Sequence, residues 1–363
     1  MKRVSVLLLL VISGTTPWVT AQHLQSQRRG ITAAIPLHTS SGMGMAAAAT
    51  AGTSTLKHWS SSFVWKGTTY HYTMVGTNPW NGSATTTIST EVQPLKVVFS
   101  NGATFWPPTQ TLVNSPLFLN TKFPSETGQY GDIFQRANFW TVVSHLAPNY
   151  HVKLGQPSVR PIKTIHVPAM YGSTQTWSGT KVGLVQFDWL TATIDNLAKA
   201  EGFNAATLPI FLVGNVFGYT DSQVSSYYVG YHSSVSPSPS TILTYIFAAW
   251  NSAGLFTNGL KDMTAISHEV AEWINDPFVN NIVPGWSIPI NPGYCVSNLL
   301  EVGDPIDSFS DASFPVTLNG KTYHPQDEAY FSWFAHQSPS KALHGQYSYI
   351  APEKLKNPSP YCQ

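Results

Sequence analysis

The stretch Asp262-Met263-Thr264-Ala265-Ile266-Ser267-His268-Glu269-Val270-Ala271-Glu272-Trp273-Ile274-Asn275-Asp276-Pro277 decides how the chain reads. Met263, Ile266, Val270 and Ile274 recur at helical spacing, Asp262 stands where an N-cap belongs, and the residue before Pro277 avoids the α region. The spacing predicts a helix over about 262–275. At about 100° per residue, the apolar stripe and the pair His268/Glu272 fall on nearly opposite faces, the pair one turn apart. Two side chains able to bind a metal can then converge on one point.

In the His-Glu-x-x-His helix, two histidines hold zinc and the intervening glutamate acts as general base toward water. Here Glu272 stands where the second histidine would be. A carboxylate oxygen is a legitimate zinc ligand at about 2.0–2.2 Å, and its charge makes the ion a weaker acidifier of water than two imidazoles would. Glu269 takes the position of the catalytic base. The competing reading is an exposed polar face with a weak i,i+4 pair, worth a few tenths of a kcal/mol.

The sequence downstream favours the metal. A loop with Pro284, Gly285, Pro289, Pro292 and Gly293 leads into Asn298-Leu299-Leu300-Glu301-Val302-Gly303-Asp304-Pro305. Zincins with a glutamate as third ligand take it from a second segment a few tens of residues beyond the helix. Glu301 fits that role. Asp304 is the alternative, either as ligand or as a carboxylate orienting His268, and read blandly it is a turn residue before proline. These runs, with Asn275-Asp276-Pro277-Phe278-Val279-Asn280, resemble the secreted phosphate-induced (Exordium-like) proteins, which carry a similar His-Glu-Leu-Ala-Glu helix, an Asn-Pro stop and a later Glu-Ile-Gly-Asp. The segment Tyr323-His324-Pro325-Gln326-Asp327-Glu328-Ala329-Tyr330-Phe331-Ser332-Trp333-Phe334 is similar to one in related bacterial secreted proteins. The resemblance covers about 260–310 best, 320–350 more loosely, and 129–132 faintly. It implies a zincin-like metal site at His268, Glu272 and Glu301, with Zn²⁺ as the ion, and no particular substrate.

Lys2 and Arg3 precede the apolar run Val4 to Ile12, and Val19-Thr20-Ala21 supplies small residues before Gln22. This predicts a signal peptide over 1–21 and a secreted product, extracellular or periplasmic. No later run approaches the ~18 apolar residues of a membrane-spanning helix, so stable membrane insertion is not expected. Charged residues are only 10% of the chain, against ~25% in ordinary soluble domains, and formal net charge is +1. That leaves no basic stripe for phosphates, which argues against nucleic acid as partner. The 12 tryptophans form no periodic exposed stripe and are read as core. Cys295 and Cys362, the only cysteines, form a disulfide on this reading.

Residues 22–57, rich in Ala, Ser, Thr and Gly, read as a flexible leader, and 58–363 as one zincin-like domain. Strands are expected at 69–75, 84–92, 95–99, 162–167, 208–213 and 227–232, and at 241–249, where the pattern also permits helix. Helices are expected near 132–146, 189–200 and 327–337. The fold class is α+β: a mixed sheet packed on the active-site helix, with a C-terminal subdomain closing a cleft. His232, at the end of a strand, can touch substrate or metal or lie in the core; His324, His336 and His344 are lesser ligand alternatives, and Tyr323 or Tyr330 can serve an oxyanion or simple packing. Two functions follow as expectations. One is a secreted zinc hydrolase, a metallopeptidase acting on extracellular peptide or protein. The other is a non-enzymatic extracellular binding protein on a zincin-like scaffold with a structural or vestigial metal.

Overall fold

A computed structural model describes residues 32–34, 54–220, 226–288, 295, 297–307, 309–360 and 362. The expected signal peptide, and the leader apart from 32–34 and 54–57, lie outside the described residues. The chain is α+β with open sheets. Among the described residues no helix is long and apolar enough to cross a membrane.

Five strands frame the sheet that carries the site: β1 (Thr90–Phe99), β2 (Lys163–Val167), β3 (Leu208–Gly214), β4 (Gly230–Ser238) and β5 (Thr241–Trp250). β3 lies parallel between β1 and β5, with Ile210 opposite Val92 on one side and Ile246 on the other. β4 runs antiparallel to β5 at the end of this path, which puts His232 opposite Ile246. β2 joins β1 in parallel, as do Ser158–Val159.

The unbroken apolar run of β3 is what a strand buried on both faces requires. Its side chains split by the period of two: Leu208, Ile210 and Leu212 join one core, Phe211 and Val213 the other. Against the first core lie helices α1 (Tyr130–Asn138) and α3 (Thr264–Asn275). Against the second lies α2 (Phe187–Ala200), through Leu190, Ile194 and Ala198, together with a five-stranded sheet built on Gly172–Trp177, Thr180–Gln186 and Val216–Tyr219. Gly131 of α1 lets the helices meet, since a Cβ there would lie 2.8 Å from Ile274 Cδ1.

Several expectations need correction. Asp262 is not the cap of α3: the N-cap is Met263, without a side-chain cap bond, and Asp262 has φ 38° with its carboxylate on the backbone N–H of His324 (2.9 Å) and the ring Nδ1 of His324 (2.6 Å). The helix expected near 132–146 stops at Phe139 (φ −110°, ψ 32°) and resumes only as Trp140–Val143. The helix expected near 327–337 is a single turn, Phe331–Phe334. Backbone N–H groups that a helix would use go elsewhere, Asp327 to the carbonyl of Ala312 and Ala329 to that of Val302. The segment 241–249, legible either way, is strand, and 95–99 is continuous with Thr90 through Pro94. The exposed polar face for α3 is also absent. All twelve of its residues are buried, because the C-terminal segments cover the side away from the sheet.

Candidate functional site

Three pieces of chain meet above α3. The helix itself brings His268, Glu269 and Glu272; β4 brings His232; the segment following Ser297–Leu299 brings Glu301 and Asp304. The strand period explains His232: Tyr231 enters the second core, so His232 turns to the opposite face, toward the helix. Two glycines make the approach possible. A Cβ on Gly303 would lie 2.3 Å from His268 Nδ1, and one on Gly230 would lie 2.9 Å from Glu269 Oε1. Gly303 N–H also donates to Glu272 Oε1 at 3.1 Å.

Glu272 stands at the centre. Its Oε1 lies 3.0 Å from His268 Nε2, which in turn is 3.6 Å from Asp304 Oδ1. Its Oε2 lies 3.5 Å from His232 Nδ1, which is 3.3 Å from Glu269 Oε2. Glu301 approaches the other nitrogen of that ring, with Oε2 at 3.9 Å from His232 Nε2. Thus His268, Glu272 and Asp304 form one group able to hold a metal, and His232, Glu269 and Glu272 a second. Glu301 stands beside the second group and not beside His268.

None of these six residues is more than 4% exposed. His268 Nε2, Glu269 Oε1, both oxygens of Glu301 and both of Asp304 have no hydrogen-bond partner. Buried carboxylates left so are costly unless a cation joins them. Among the described residues the ion pairs to these carboxylates come only from histidine, while the Arg and Lys pairs lie at Glu126, Glu91, Glu201, Asp311 and Asp327. Burial and then the nearby Glu272 charge push Glu301 and Asp304 well above the ordinary carboxylate range. Glu272 goes the other way: burial opposes its charge, but His268 and His232 outweigh burial and hold it low. For both imidazoles burial likewise opposes the charge, and the surrounding glutamates overcome it and raise them.

The donor set suits a divalent ion. Bonds of about 2.0–2.1 Å in a tetrahedron place neighbouring donors ~3.3 Å apart, close to the spacings around His232 Nδ1. His268 carries one complication. Gln326 Nε2 lies 2.8 Å from both His268 Nδ1 and the carbonyl of Gly303, an amide orientation in which a neutral His268 accepts at Nδ1 and carries its proton on Nε2. Metal at Nε2 calls for the Gln326 amide to turn over and accept from Nδ1–H, giving up the Gly303 bond.

Other expected candidates are elsewhere. His324 pairs with Asp262, His336 stacks on Trp65 at 4.3 Å, Tyr323 donates to the carbonyl of Asn114, and Tyr330 stacks on Phe134. Gln326, Gly303, Gly230 and the buried Glu328, bonded to Tyr130 Oη at 2.8 Å, were not singled out from sequence. Gly303 had a signal in its place inside Glu-Val-Gly-Asp, and Gln326 and Glu328 in theirs within Tyr323–Phe334. The described surface cavity lined by Lys57, Trp59, Asn78 and Asn81 shares no residue with the donors. The disulfide Cys295–Cys362 is formed, with Cα atoms 5.4 Å apart, tying the approach to Glu301 to the C-terminal end. No protein-family model, curated protein or solved structure matches the chain.

Proposed function

We propose that this is a secreted, zincin-like metalloprotein that holds zinc in its interior. One observation carries the reading: two histidines and four carboxylates from three separate segments converge in a fully buried cluster that no Lys or Arg neutralises among the described residues. The likeness to a zincin is supported by α3, with its His-Glu-x-x-Glu, packed beneath β4 and β5 where these pair antiparallel at the end of the mixed sheet. Export is supported by the N-terminal sequence and agrees with the disulfide.

Of the two roles open to such a centre, burial favours a metal that secures the fold of an extracellular binding protein. Hydrolysis needs a coordination position that substrate can reach, and the donors here are almost wholly enclosed. A zinc metallopeptidase is the second reading, favoured by Glu269. Its carboxylate touches the donor cluster, its Oε1 has no hydrogen-bond partner, and burial pushes its pKa up, as befits a group that takes a proton and returns it. Zinc, when bound, supplies Lewis acidity toward a carbonyl and toward water. Elemental analysis of the exported protein, joined to cleavage of a broad peptide library, tests both. Zinc without cleavage supports the binding protein. Zinc with cleavage that Glu269→Gln lowers on the order of 10²- to 10⁴-fold establishes the peptidase. Absence of metal after gentle purification and after zinc addition overturns both.

A further inference from the structure

The geometry points to two metal ions, bridged by Glu272, where the sequence motif suggests one. This rests on the metal reading above and goes past it in number and ligand assignment. The two oxygens of Glu272 face different imidazoles: Oε1 lies by His268 Nε2, which Asp304 also approaches, and Oε2 by His232 Nδ1, which Glu269 also approaches. Each triplet has one imidazole nitrogen and two carboxylate oxygens, with its ligand atoms all within 4.8 Å of one another. A carboxylate whose oxygens each complete a separate donor set is arranged as a bridge.

Independent support comes from buried polar atoms of the same cluster that have no hydrogen bond: both Asp304 oxygens, beside His268 Nε2 on the first side, and both Glu301 oxygens, beside His232 on the second. Charge is compatible with that count: Glu269, Glu272, Glu301 and Asp304, once metal displaces their protons, carry four negative charges, which two divalent cations with neutral imidazoles balance. Two neighbouring acids draw on other groups: Asp276 accepts from the N–H groups of Asn280 and Asn281, and Asp327 from Ile350 and Ala351 beside Lys354, while Glu328 accepts from Tyr130 at Oε1 and has no partner at Oε2. With only nitrogen and oxygen donors, the pair suits zinc or manganese.

On this assignment His232 is a ligand, Glu269 belongs to the second ion's donor set, and Glu301 completes that set if the His232 ring or the glutamate shifts to bring its 3.9 Å approach onto the same ion. The experiment is equilibrium dialysis of the full exported protein against zinc ion alone, with protein-bound metal counted by mass spectrometry. The expected result is two zinc per chain in the wild type, one in His232→Ala and one in His268→Ala. Circular dichroism and an intact Cys295–Cys362 bond check that each variant is folded. One zinc in the wild type overturns the bridged pair while leaving the single-metal reading standing. None overturns both. Two zinc retained by both folded variants places the ions elsewhere and overturns the assignment. If either variant fails to fold, manganese-loaded wild type decides by electron paramagnetic resonance: an exchange-coupled spectrum supports the bridge, and isolated six-line signals overturn it.

Discussion

At the scale of single residues, the site depends on atoms that are absent. Gly303 has no Cβ, and His268 occupies the space one would take. Gly303→Ala must move either the imidazole or the Glu-Val-Gly-Asp backbone, and overpacking of this kind costs about 1–3 kcal/mol. The expected outcome is a lower urea midpoint with unchanged slope, together with weaker zinc binding. Gly230→Ala should be milder, since its nearest contacts, the Glu269 side chain from 2.9 Å outward, are less close than the 2.3 Å approach at Gly303. His336 offers a separate test away from the site. Burial, then the Lys66 charge, lowers its pKa to about 4, so it stays neutral in the fold while the unfolded chain titrates near the ordinary ~6.5. Between those values the unfolded state binds more protons. Its contribution to stability is therefore present above about pH 6.5 and is lost as pH falls toward 4. An NMR titration of the imidazole should show a midpoint near 4, and a midpoint at 6 or above contradicts the packing against Trp65.

At the scale of elements, α3 was the most legible part of the chain, and its environment the least. The i, i+4 spacing and Pro277 place the helix within a residue or two of Thr264–Asn275. The same pattern suggests an exposed polar face, and that face is buried by residues around 302 and 326 that no local signal ties to the helix. Burial of the whole helix makes its polar contacts matter. Trp273 Nε1–H donates to Thr244 Oγ1 at 2.9 Å across the interface with β5. Thr244→Val keeps the shape but leaves a buried donor without partner, at a cost of about 1–3 kcal/mol. Thr244→Ser should recover most of that loss, as measured by chemical denaturation.

At the scale of the whole molecule, two ties hold the C-terminal segments over α3. The disulfide closes a separation of 67 residues, which the chain-entropy model values at about 4 kcal/mol. A Cys295→Ser/Cys362→Ser double variant should unfold at correspondingly lower denaturant while keeping a folded baseline. Metal is the second tie, joining β4, α3 and the 301–304 segment on the reading proposed above. An ion present at a hundredfold excess over its dissociation constant adds ~2.7 kcal/mol, so a chelator should lower the melting temperature by about 4 °C in a folded unit of this size. Zinc should restore it, and insensitivity of melting to both chelator and zinc contradicts the interior metal.

What the sequence determined by itself was local. Helical spacing with a proline stop gave α3, apolar runs gave β3 and β5 with the latter ambiguous, and an even pair of cysteines gave the disulfide. His268 and Glu272 converge because four residues make about one helical turn, so that pair was readable from spacing alone. Tertiary structure decided the rest. His232 reaches Glu272 only because β4 pairs antiparallel with β5 in a register that sets it opposite Ile246 and on the helix side of the sheet. Asp304, and not Glu301, lies beside His268 because Gly303 lets the backbone press against the ring before the chain turns. Sequence spacing carries no information about which of two carboxylates three residues apart in a loop faces a distant imidazole. That choice is made by close packing and by the placing of backbone hydrogen bonds between segments far apart in the chain.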